Sequence, residues 1–254
     1  MTTRRAFLTA LAAGATEAIA APRWVAQAAG SRVIKALALD GFTTFDPRPI
    51  TALAERIFPG RGTELAATWR ARQFEYTWLR IAMRRYADFW TVTEQALVFA
   101  ANAERVALGT EQRRELMDAY LHLTAYPDVR PALVALRDSG IRLAFLTNLT
   151  PRILDAAIDN AGLSDLIDYR ISTDAIKTYK PDPMAYQLGI DTLGLCIDEI
   201  GFVASAGWDA AGAKSFGYPT VWINRPNQPE EEMGIRPDGI GTGLGDLTRL
   251  FRLR

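Results

Sequence analysis

Residues 34–44 read Ile34-Lys35-Ala36-Leu37-Ala38-Leu39-Asp40-Gly41-Phe42-Thr43-Thr44, so an apolar run ends at an acidic residue that is followed by glycine. A short apolar run of this kind is typical of a strand buried on both faces of a parallel sheet. Similar runs occupy 141–146, which leads into Thr147, and also 200–203 and 220–223. We therefore predict a parallel sheet whose first strand ends at Asp40.

Helical patterns with recognisable first residues lie between these runs. Strands that alternate with helices indicate an open α/β fold with right-handed crossovers. Ligands of such sheets bind beyond the carboxyl ends of the strands, so Asp40 and Thr147 are expected in one crevice. The predicted helix starts are Asp128 before a helix over 129–138, Thr150-Pro151 and Asp182-Pro183.

The stretch 45–125 interrupts this alternation. Large aromatic and aliphatic residues recur there at largely helical spacing, with Arg and Glu between them and no strand signal. We predict an all-helical cap segment, 45–125, inserted after the first strand and placed over the crevice. The α/β core is then formed by 31–44 together with 126–254.

The first part of the chain, 1–30, has the features of an export signal. Arg4-Arg5 precedes an apolar, alanine-rich run from Ala6 to Ala15, and small residues suited to signal peptidase follow. We predict a twin-arginine-type leader and a periplasmic location, with a cytoplasmic chain as the alternative. Because the apolar run is too short for a comfortable membrane span, no stable membrane association is expected after processing.

Charge and cysteine content exclude several classes of protein. The chain has 29 basic and 29 acidic residues, which gives no support for a nucleic-acid partner. The single cysteine, Cys196, rules out an intramolecular disulfide and a multi-cysteine metal site. His122 is also alone, so it cannot anchor a histidine-rich metal site.

Four short motifs follow one another along the chain. Asp40 ends the first predicted strand and Leu146-Thr147-Asn148 ends the second, while Tyr179-Lys180-Pro181-Asp182 and residues 202–210 bring Lys180 and Asp209. In this order the motifs resemble those of the haloacid dehalogenase superfamily. The resemblance implies a Rossmann-like core, an aspartate nucleophile at Asp40, and catalytic roles for Lys180 and Asp209.

The residue at position 42 separates two chemistries within that superfamily. Its phosphatases have a second aspartate two residues after the nucleophile, which protonates the leaving group; here the residue is Phe42, which cannot transfer a proton. Phosphatases also use acidic residues to hold magnesium, and no acidic pair adjoins Asp209. We therefore predict an enzyme that works without a metal or another cofactor.

Residues 69–80, Trp69-Arg70-Ala71-Arg72-Gln73-Phe74-Glu75-Tyr76-Thr77-Trp78-Leu79-Arg80, resemble the lid segment of bacterial L-2-haloacid dehalogenases, the (S)-2-haloacid dehalogenases of type II. The resemblance implies that Arg70 lies over Asp40 and, with Asn148, receives the departing halide. It also implies a homodimer and an apolar wall beside the reacting carbon. The wall residues are Phe42, Phe74, Phe89 and Trp208.

The same resemblance implies hydrolysis of short-chain L-2-haloacids in two steps. Asp40 displaces halide from C2 with inversion, and water then attacks the resulting ester and releases a D-2-hydroxy acid. Lys180 keeps Asp40 anionic, because a nearby ammonium favours the charged carboxylate. The remaining assignments are Thr147 with backbone N–H groups for the substrate carboxylate, Thr44 for the rotamer of Asp40, Ser205 for substrate or halide binding, and Tyr186 for support of the cluster.

Two loops depart from the family pattern. Ala204 and Ala206 stand where the family usually has Ser and Asn, with Ser205 between them, and Thr43 replaces a usual Gly. The missing Asn implies slower ester hydrolysis or an altered substrate range, and either Thr43 or Thr44 can contact Asp40. Two alternatives stay open: a phosphatase or phosphonate hydrolase of the same superfamily, and a catalytically weakened protein that binds small carboxylates.

Overall fold

The computed structural model describes residues 33–253, so the predicted leader at 1–30 lies outside the described residues. The strands are β1 (Ala36–Leu39), β2 (Phe45–Asp46), β3 (Thr124–Ala125), β4 (Arg142–Thr147), β5 (Tyr169–Ser172), β6 (Ile200–Ala204), β7 (Thr220–Ile223) and β8 (Gly239–Gly241). The helices are α1 (Gly41–Thr44), α2 (Arg48–Ile57), α3 (Gly62–Ala82), α4 (Phe89–Ala103), α5 (Thr110–Asp118), α6 (Val129–Asp138), α7 (Pro151–Asn160), α8 (Pro183–Leu193), α9 (Gly207–Phe216) and α10 (Leu247–Leu250).

Six strands form one parallel sheet in the order β5-β4-β1-β6-β7-β8. All four residues of β1 are buried, as expected for a strand covered on both faces. Its last residue, Leu39, pairs with Phe145 of β4 and with Val203 of β6. The predicted Rossmann-like α/β core is confirmed, and the residues that follow β1, β4 and β6 meet at one edge of the sheet.

The four predicted strands are present as β1, β4, β6 and β7, whereas β5 and β8 were not predicted. β5 reads Tyr-Arg-Ile-Ser and β8 reads Gly-Ile-Gly. Both lie at the edges of the sheet, where a strand has a neighbour on one side only. Neither therefore requires the continuous apolar run by which a central strand is recognised.

Apolar side chains cover both faces of the sheet and extend into the cap segment. Leu37 and Leu39 point to one face, in a cluster that also contains Trp69 and Phe89 of the cap segment. The small side chains of β1 alternate with them and belong to a second cluster on the opposite face, around Phe202. Between 33 and 253 no helix is both long and apolar enough to cross a membrane.

Helices α2 to α5 occupy the cap segment, but its two ends are not helical. β2 and β3 pair antiparallel, with Phe45 opposite Ala125 and Asp46 opposite Thr124. The prediction of an all-helical insertion is wrong at this point, because two-residue strands have no periodicity that the sequence could reveal. From Val33 onwards the chain packs as one compact unit, so the boundary between cap segment and core stays a prediction.

Two of the three predicted helix caps are present. Thr150 accepts a hydrogen bond from the N–H of Ile153 at the start of α7, and Asp182 accepts one from Met184 at the start of α8. Asp128 precedes α6 but makes no capping hydrogen bond. Its backbone is already helical (φ −78°, ψ −12°), whereas a capping residue is usually extended. The Asp128 side chain bonds the guanidinium of Arg225 instead.

Candidate active site

Asp40 lies at the carboxyl end of β1 and caps the short helix α1. Its Oδ2 accepts hydrogen bonds from the N–H of Phe42 (3.0 Å) and from Oγ of Ser205 (2.6 Å). Ser205 follows β6, the strand paired with β1, so the two strand ends bring these residues together. Only 6% of Asp40 is exposed. The carboxylate is thus oriented by two donors before any substrate binds.

A buried lysine joins Asp40 to a second carboxylate. Nζ of Lys180 lies 2.7 Å from Oδ1 of Asp40 and 2.7 Å from Oδ2 of Asp209. Tyr186 donates a hydrogen bond to the other oxygen of Asp209 at 2.8 Å. Lys180 and Asp209 are 0% and 1% exposed, so water barely screens this cluster of charges.

The charges in this cluster shift one another's pKa values. Burial alone would raise the pKa of Asp40, but Lys180 and the hydrogen bonds from Ser205 and Phe42 outweigh it and lower that pKa. Burial alone would lower the pKa of Lys180, but the two carboxylates raise it. For Asp209, burial raises the pKa to about 6 against the opposing effect of Lys180, and the charge of Asp40 adds to the rise. Lys180 is therefore charged and Asp40 ionised at neutral pH.

Asn148 follows β4 and presents an unused donor. Its Oδ1 accepts from the backbone N–H of Lys180 (2.9 Å) and from Oγ1 of Thr173 (3.2 Å). Because a backbone N–H can only donate, this contact fixes the orientation of the amide. Nδ2 of Asn148 is buried and has no hydrogen-bond partner within the described range. An anion beside it would satisfy this donor.

A small cavity of about 10 Å³ lies over Asp40. It brings together residues from four chain segments that are distant in sequence. The predicted wall residues are all present, and so are Thr147, Asn148 and Ser205. Leu149 also lines the cavity and was not predicted, although its place directly after the Thr147-Asn148 motif offered a signal. The lining residues are Asp40, Phe42, Phe74, Phe89, Thr147, Asn148, Leu149, Ser205 and Trp208.

Arg70 of α3 is not itself a lining residue but packs against two residues that are, and among residues 33–253 it forms no ion pair with a carboxylate. Its guanidinium carbon is 4.8 Å from the ring centre of Phe42 and 5.2 Å from that of Phe74. Trp208 packs against Phe74 with 5.4 Å between ring centres. A guanidinium held by aromatic faces is positioned by cation–π attraction, and its N–H donors stay available to an anion.

The role predicted for Thr44 is wrong. The hydroxyl of Thr44 lies 3.4 Å from that of Thr43, and Thr43 donates to the backbone carbonyl of Asp40 at 2.6 Å. α1 is a helical turn, which brings the third residue after Asp40 to that carbonyl. Ser205, predicted as a ligand for substrate or halide, makes the contact with the Asp40 carboxylate.

The remaining predicted residues have simple locations. Tyr186 and Asp209 belong to the buried cluster and not to the cavity lining. Thr147 lines the cavity, and its Oγ1 accepts a hydrogen bond from the N–H of Leu149. Within 33–253 there is no group of three or more His, Cys, Asp or Glu side chains that could hold a metal ion.

Comparisons with known proteins agree with this geometry. A family model described as haloacid dehalogenase-like hydrolase matches residues 7–217. The (S)-2-haloacid dehalogenase of Pseudomonas sp. strain YL is 43% identical over 219 residues, which cover 86% of this chain and 94% of that protein.

Two solved structures are similar along most of their length. The crystal structure of the L-2-haloacid dehalogenase RSc1362 has a TM-score of 0.85 at 38% identity, and the match covers 87% of this chain and 100% of that one. The L-2-haloacid dehalogenase from Xanthobacter autotrophicus, with chloropropionic acid covalently bound, has a TM-score of 0.81 at 36% identity. That match covers 87% of this chain and 99% of the other.

Proposed function

We propose that this chain, which belongs to the haloacid dehalogenase-like hydrolase family, hydrolyses short-chain L-2-haloacids to D-2-hydroxy acids through an ester on Asp40. One observation carries the proposal. An ionised carboxylate, fixed by Lys180, faces an apolar cavity in which Nδ2 of Asn148 has no partner. A carboxylate in that setting is suited to attack on carbon, and the unused donor is suited to a departing anion.

The first step is displacement of halide from C2. An oxygen lone pair of Asp40 forms a bond to C2 while the carbon–halogen bond breaks, and the halide leaves with its electron pair and with inversion. Asn148 and Arg70 receive the halide, since Nδ2 of Asn148 has no hydrogen-bond partner and Arg70 has no carboxylate partner among the described residues. The rings of Phe42 and Trp208 keep water from the reacting carbon.

The second step is hydrolysis of the ester. Water attacks the carboxyl carbon of Asp40, the ester bond breaks, and the 2-hydroxy acid leaves while one proton is released. Once Asp40 is an ester its negative charge is gone, so Lys180 keeps Asp209 as its counter-ion. Asp209 is not part of the cavity lining, which supports a role in orienting Lys180. The covalent adduct of the Xanthobacter enzyme supports an intermediate of this kind.

Halide release from resolved L- and D-2-chloropropionate tests the proposal, with Asp40→Asn as the inactive control. We expect release from the L enantiomer and D-lactate as the product. Release from neither enantiomer by the wild type would refute the function and leave the fold unaffected.

The alternatives from the sequence make different predictions. A phosphatase would require magnesium, whereas halide release by this chain should persist in a chelator. For a protein that binds small carboxylates without turnover, L-2-chloropropionate would raise the thermal unfolding temperature, and no halide would be released. Ala204 and Ala206 are the residues that favour this second alternative.

Export by the twin-arginine route is part of the proposal for location. Arg4-Arg5 and the apolar run after it support periplasmic delivery. Fractionation of cells that express the full chain tests it. We expect the wild type in the periplasm and the double variant Arg4→Lys, Arg5→Lys in the cytoplasm; an unchanged distribution would refute export by this route.

A homodimer is the assembly that we propose. The cap segment exposes large apolar side chains, with Leu79 49% and Met83 59% exposed. Exposed apolar surface of this kind is typical of protein interfaces. Light scattering during gel filtration tests it: a dimer is expected for the wild type, and a shift to monomer is expected for Leu79→Glu. A monomeric wild type would refute the assembly.

A further inference from the structure

The four-residue helix α1 links the nucleophile to the cap segment. The N–H of Phe42 holds Oδ2 of Asp40 at 3.0 Å, and the ring of Phe42 contacts the guanidinium of Arg70 at 4.8 Å. A shift of α1 would therefore move the carboxylate donor and the support of the halide-binding cation together. So short a helix has few hydrogen bonds of its own, so contacts from outside must fix its position.

Arg225 supplies such a contact from the end of β7. Its Nη2 donates to the backbone carbonyl of Thr43, in α1, at 3.2 Å. The carbonyls at the end of a helical turn carry partial negative charge, so a cation there is favourable. The Arg225 side chain is 17% exposed, and its Nε is buried without a partner within the described range.

The segment 126–128 holds the guanidinium in place. Nη1 donates to Oδ1 of Asp128 and Nη2 donates to Oδ2, each at 3.0 Å. The central carbon of the guanidinium lies 3.9 Å from the ring centre of Tyr126. Asp128 in turn accepts a hydrogen bond from the N–H of Leu244 at 2.8 Å. The planar guanidinium can make a paired contact with a carboxylate and still donate to a third oxygen, which an ammonium cannot do in the same geometry.

We propose that Arg225 is a positioning residue for the dehalogenation reaction. It holds α1 against the sheet edge through the Thr43 carbonyl, so that the N–H and the ring of Phe42 stay aligned on Asp40 and Arg70. The inference rests on the proposed function, but it concerns a residue that touches neither the substrate nor the reacting atoms.

Arg225→Lys tests the role, with Arg130→Lys as a matched control. Arg130 also bonds both oxygens of an aspartate, Asp165, and a backbone carbonyl, that of Gly162, but it lies on α6 and, within 33–253, makes no hydrogen bond or ion pair with α1. We expect Arg225→Lys to lower kcat for halide release about tenfold, with a smaller change in KM, because misplacement of reacting groups acts on the chemical step. Arg130→Lys should keep kcat within about twofold of the wild type. Equal kcat values for the two variants would overturn the proposal.

Crystal structures of the same variants provide a reading that does not depend on turnover. In Arg225→Lys we expect the Phe42 N–H to move out of hydrogen-bond distance of Asp40 Oδ2, and in Arg130→Lys we expect it to stay. An unmoved Phe42 in Arg225→Lys would overturn the positioning role even if the wild type released no halide. If Arg225→Lys does not fold, Asp128→Asn loosens the guanidinium, and a kcat equal to that of the wild type would contradict the proposal.

Discussion

The charged side chains near the cavity differ in whether they are ion-paired: those at the sheet edge are, and Arg70 of the cap segment is not. At the sheet edge Lys180 lies 2.7 Å from both Asp40 and Asp209, and all three side chains are buried. In the cap segment Arg70 is held by aromatic rings at 4.8 Å and 5.2 Å, and it has no carboxylate partner in the part of the chain that the structure describes. Among the described residues, Asp40, Lys180 and Asp209 are therefore paired with one another, whereas Arg70 keeps its charge unpaired.

This difference corresponds to the two events of displacement. The nucleophile is oriented before the substrate arrives, so the attack requires little rearrangement of charge. The halide acquires its charge only as it leaves, so its acceptor must be unoccupied until then. Pairing Arg70 with a carboxylate would stabilise the cap segment and remove that acceptor.

The largest expected effect follows from breaking the paired region. Lys180→Met leaves Asp40 and Asp209 facing each other without a cation, which raises the pKa of Asp40 and lowers its ionised fraction. A loss of about 4 kcal/mol of charge stabilisation corresponds to about a thousandfold in rate, which steady-state halide release would measure. Lys214→Met, which removes a partly exposed ion pair with Asp238, should change the rate less than twofold. Turnover of Lys180→Met within tenfold of the wild type would contradict the role of the buried cation.

A smaller loss is expected from changing the free cation. Arg70→Lys retains the charge but loses the planar group that stacks on Phe42 and Phe74, so kcat should fall about a hundredfold, the usual scale for one missing donor at a developing anion. Arg72→Lys is the control, because Arg72 stacks at 4.2 Å on Phe99, which does not line the cavity, whereas the rings under Arg70 do. If both variants lose activity equally, the effect arises from packing of the cap segment.

The pH dependence separates the members of the paired region. The pKa of Asp40 is lowered and that of Lys180 is raised, so both groups stay charged near neutral pH. Asp209, with a pKa of about 6, becomes neutral below that pH and leaves Lys180 to bind Asp40 alone. Lys180 then holds the Asp40 carboxylate more tightly and makes it a weaker nucleophile. We therefore expect kcat/KM to fall roughly several-fold as pH decreases through this pKa.

Two variants sharpen this reading of the pH profile. Asp209→Asn should have a low kcat/KM that does not change near that pH. Tyr186→Phe removes a hydrogen bond that lowers the pKa of Asp209, so the acidic limb should move to higher pH. A wild-type profile without an ionisation in this region would contradict the assignment.

The smallest expected effect concerns the loop after β6. With Ala206 in place of the usual Asn, hydrolysis of the ester should be slower than its formation. Rapid-quench measurement of halide should then show a burst equal to the enzyme concentration. Ala206→Asn should raise the steady-state rate roughly a few-fold without changing the rate of halide release during the burst. Full turnover without a burst would eliminate this account of the loop.

The site residues that directly follow strands could be predicted from the sequence. Asp40, Thr147 and Ser205 each follow an apolar run, and parallel strands bring such positions to one edge whatever their separation along the chain. The sequence did not predict correctly which neighbouring side chain contacts Asp40, because that depends on local backbone geometry. The turn of α1 brings the Thr43 hydroxyl to the carbonyl of Asp40, and Ser205 reaches the carboxylate in place of Thr44.

Contacts between distant segments were equally hidden. Asp128 has the residue type and position of a helix cap, but Arg225, 97 residues further along the chain, takes its carboxylate. No local pattern encodes such a pair. The strands β5 and β8 were not predicted for a related reason. Each is a short edge strand that forms by pairing with one neighbour, β4 or β7, and its own sequence has no strand pattern.

In the proposed mechanism, oxygen from Asp40 enters the product. A single turnover with enzyme in excess over L-2-chloropropionate, in water enriched in oxygen-18, tests it most directly. If Asp40 attacks C2, the lactate formed contains ordinary oxygen at C2 and the heavy isotope appears in the Asp40 carboxylate. Lactate with oxygen-18 at C2 would mean that water attacked the carbon directly, and it would contradict the ester on Asp40.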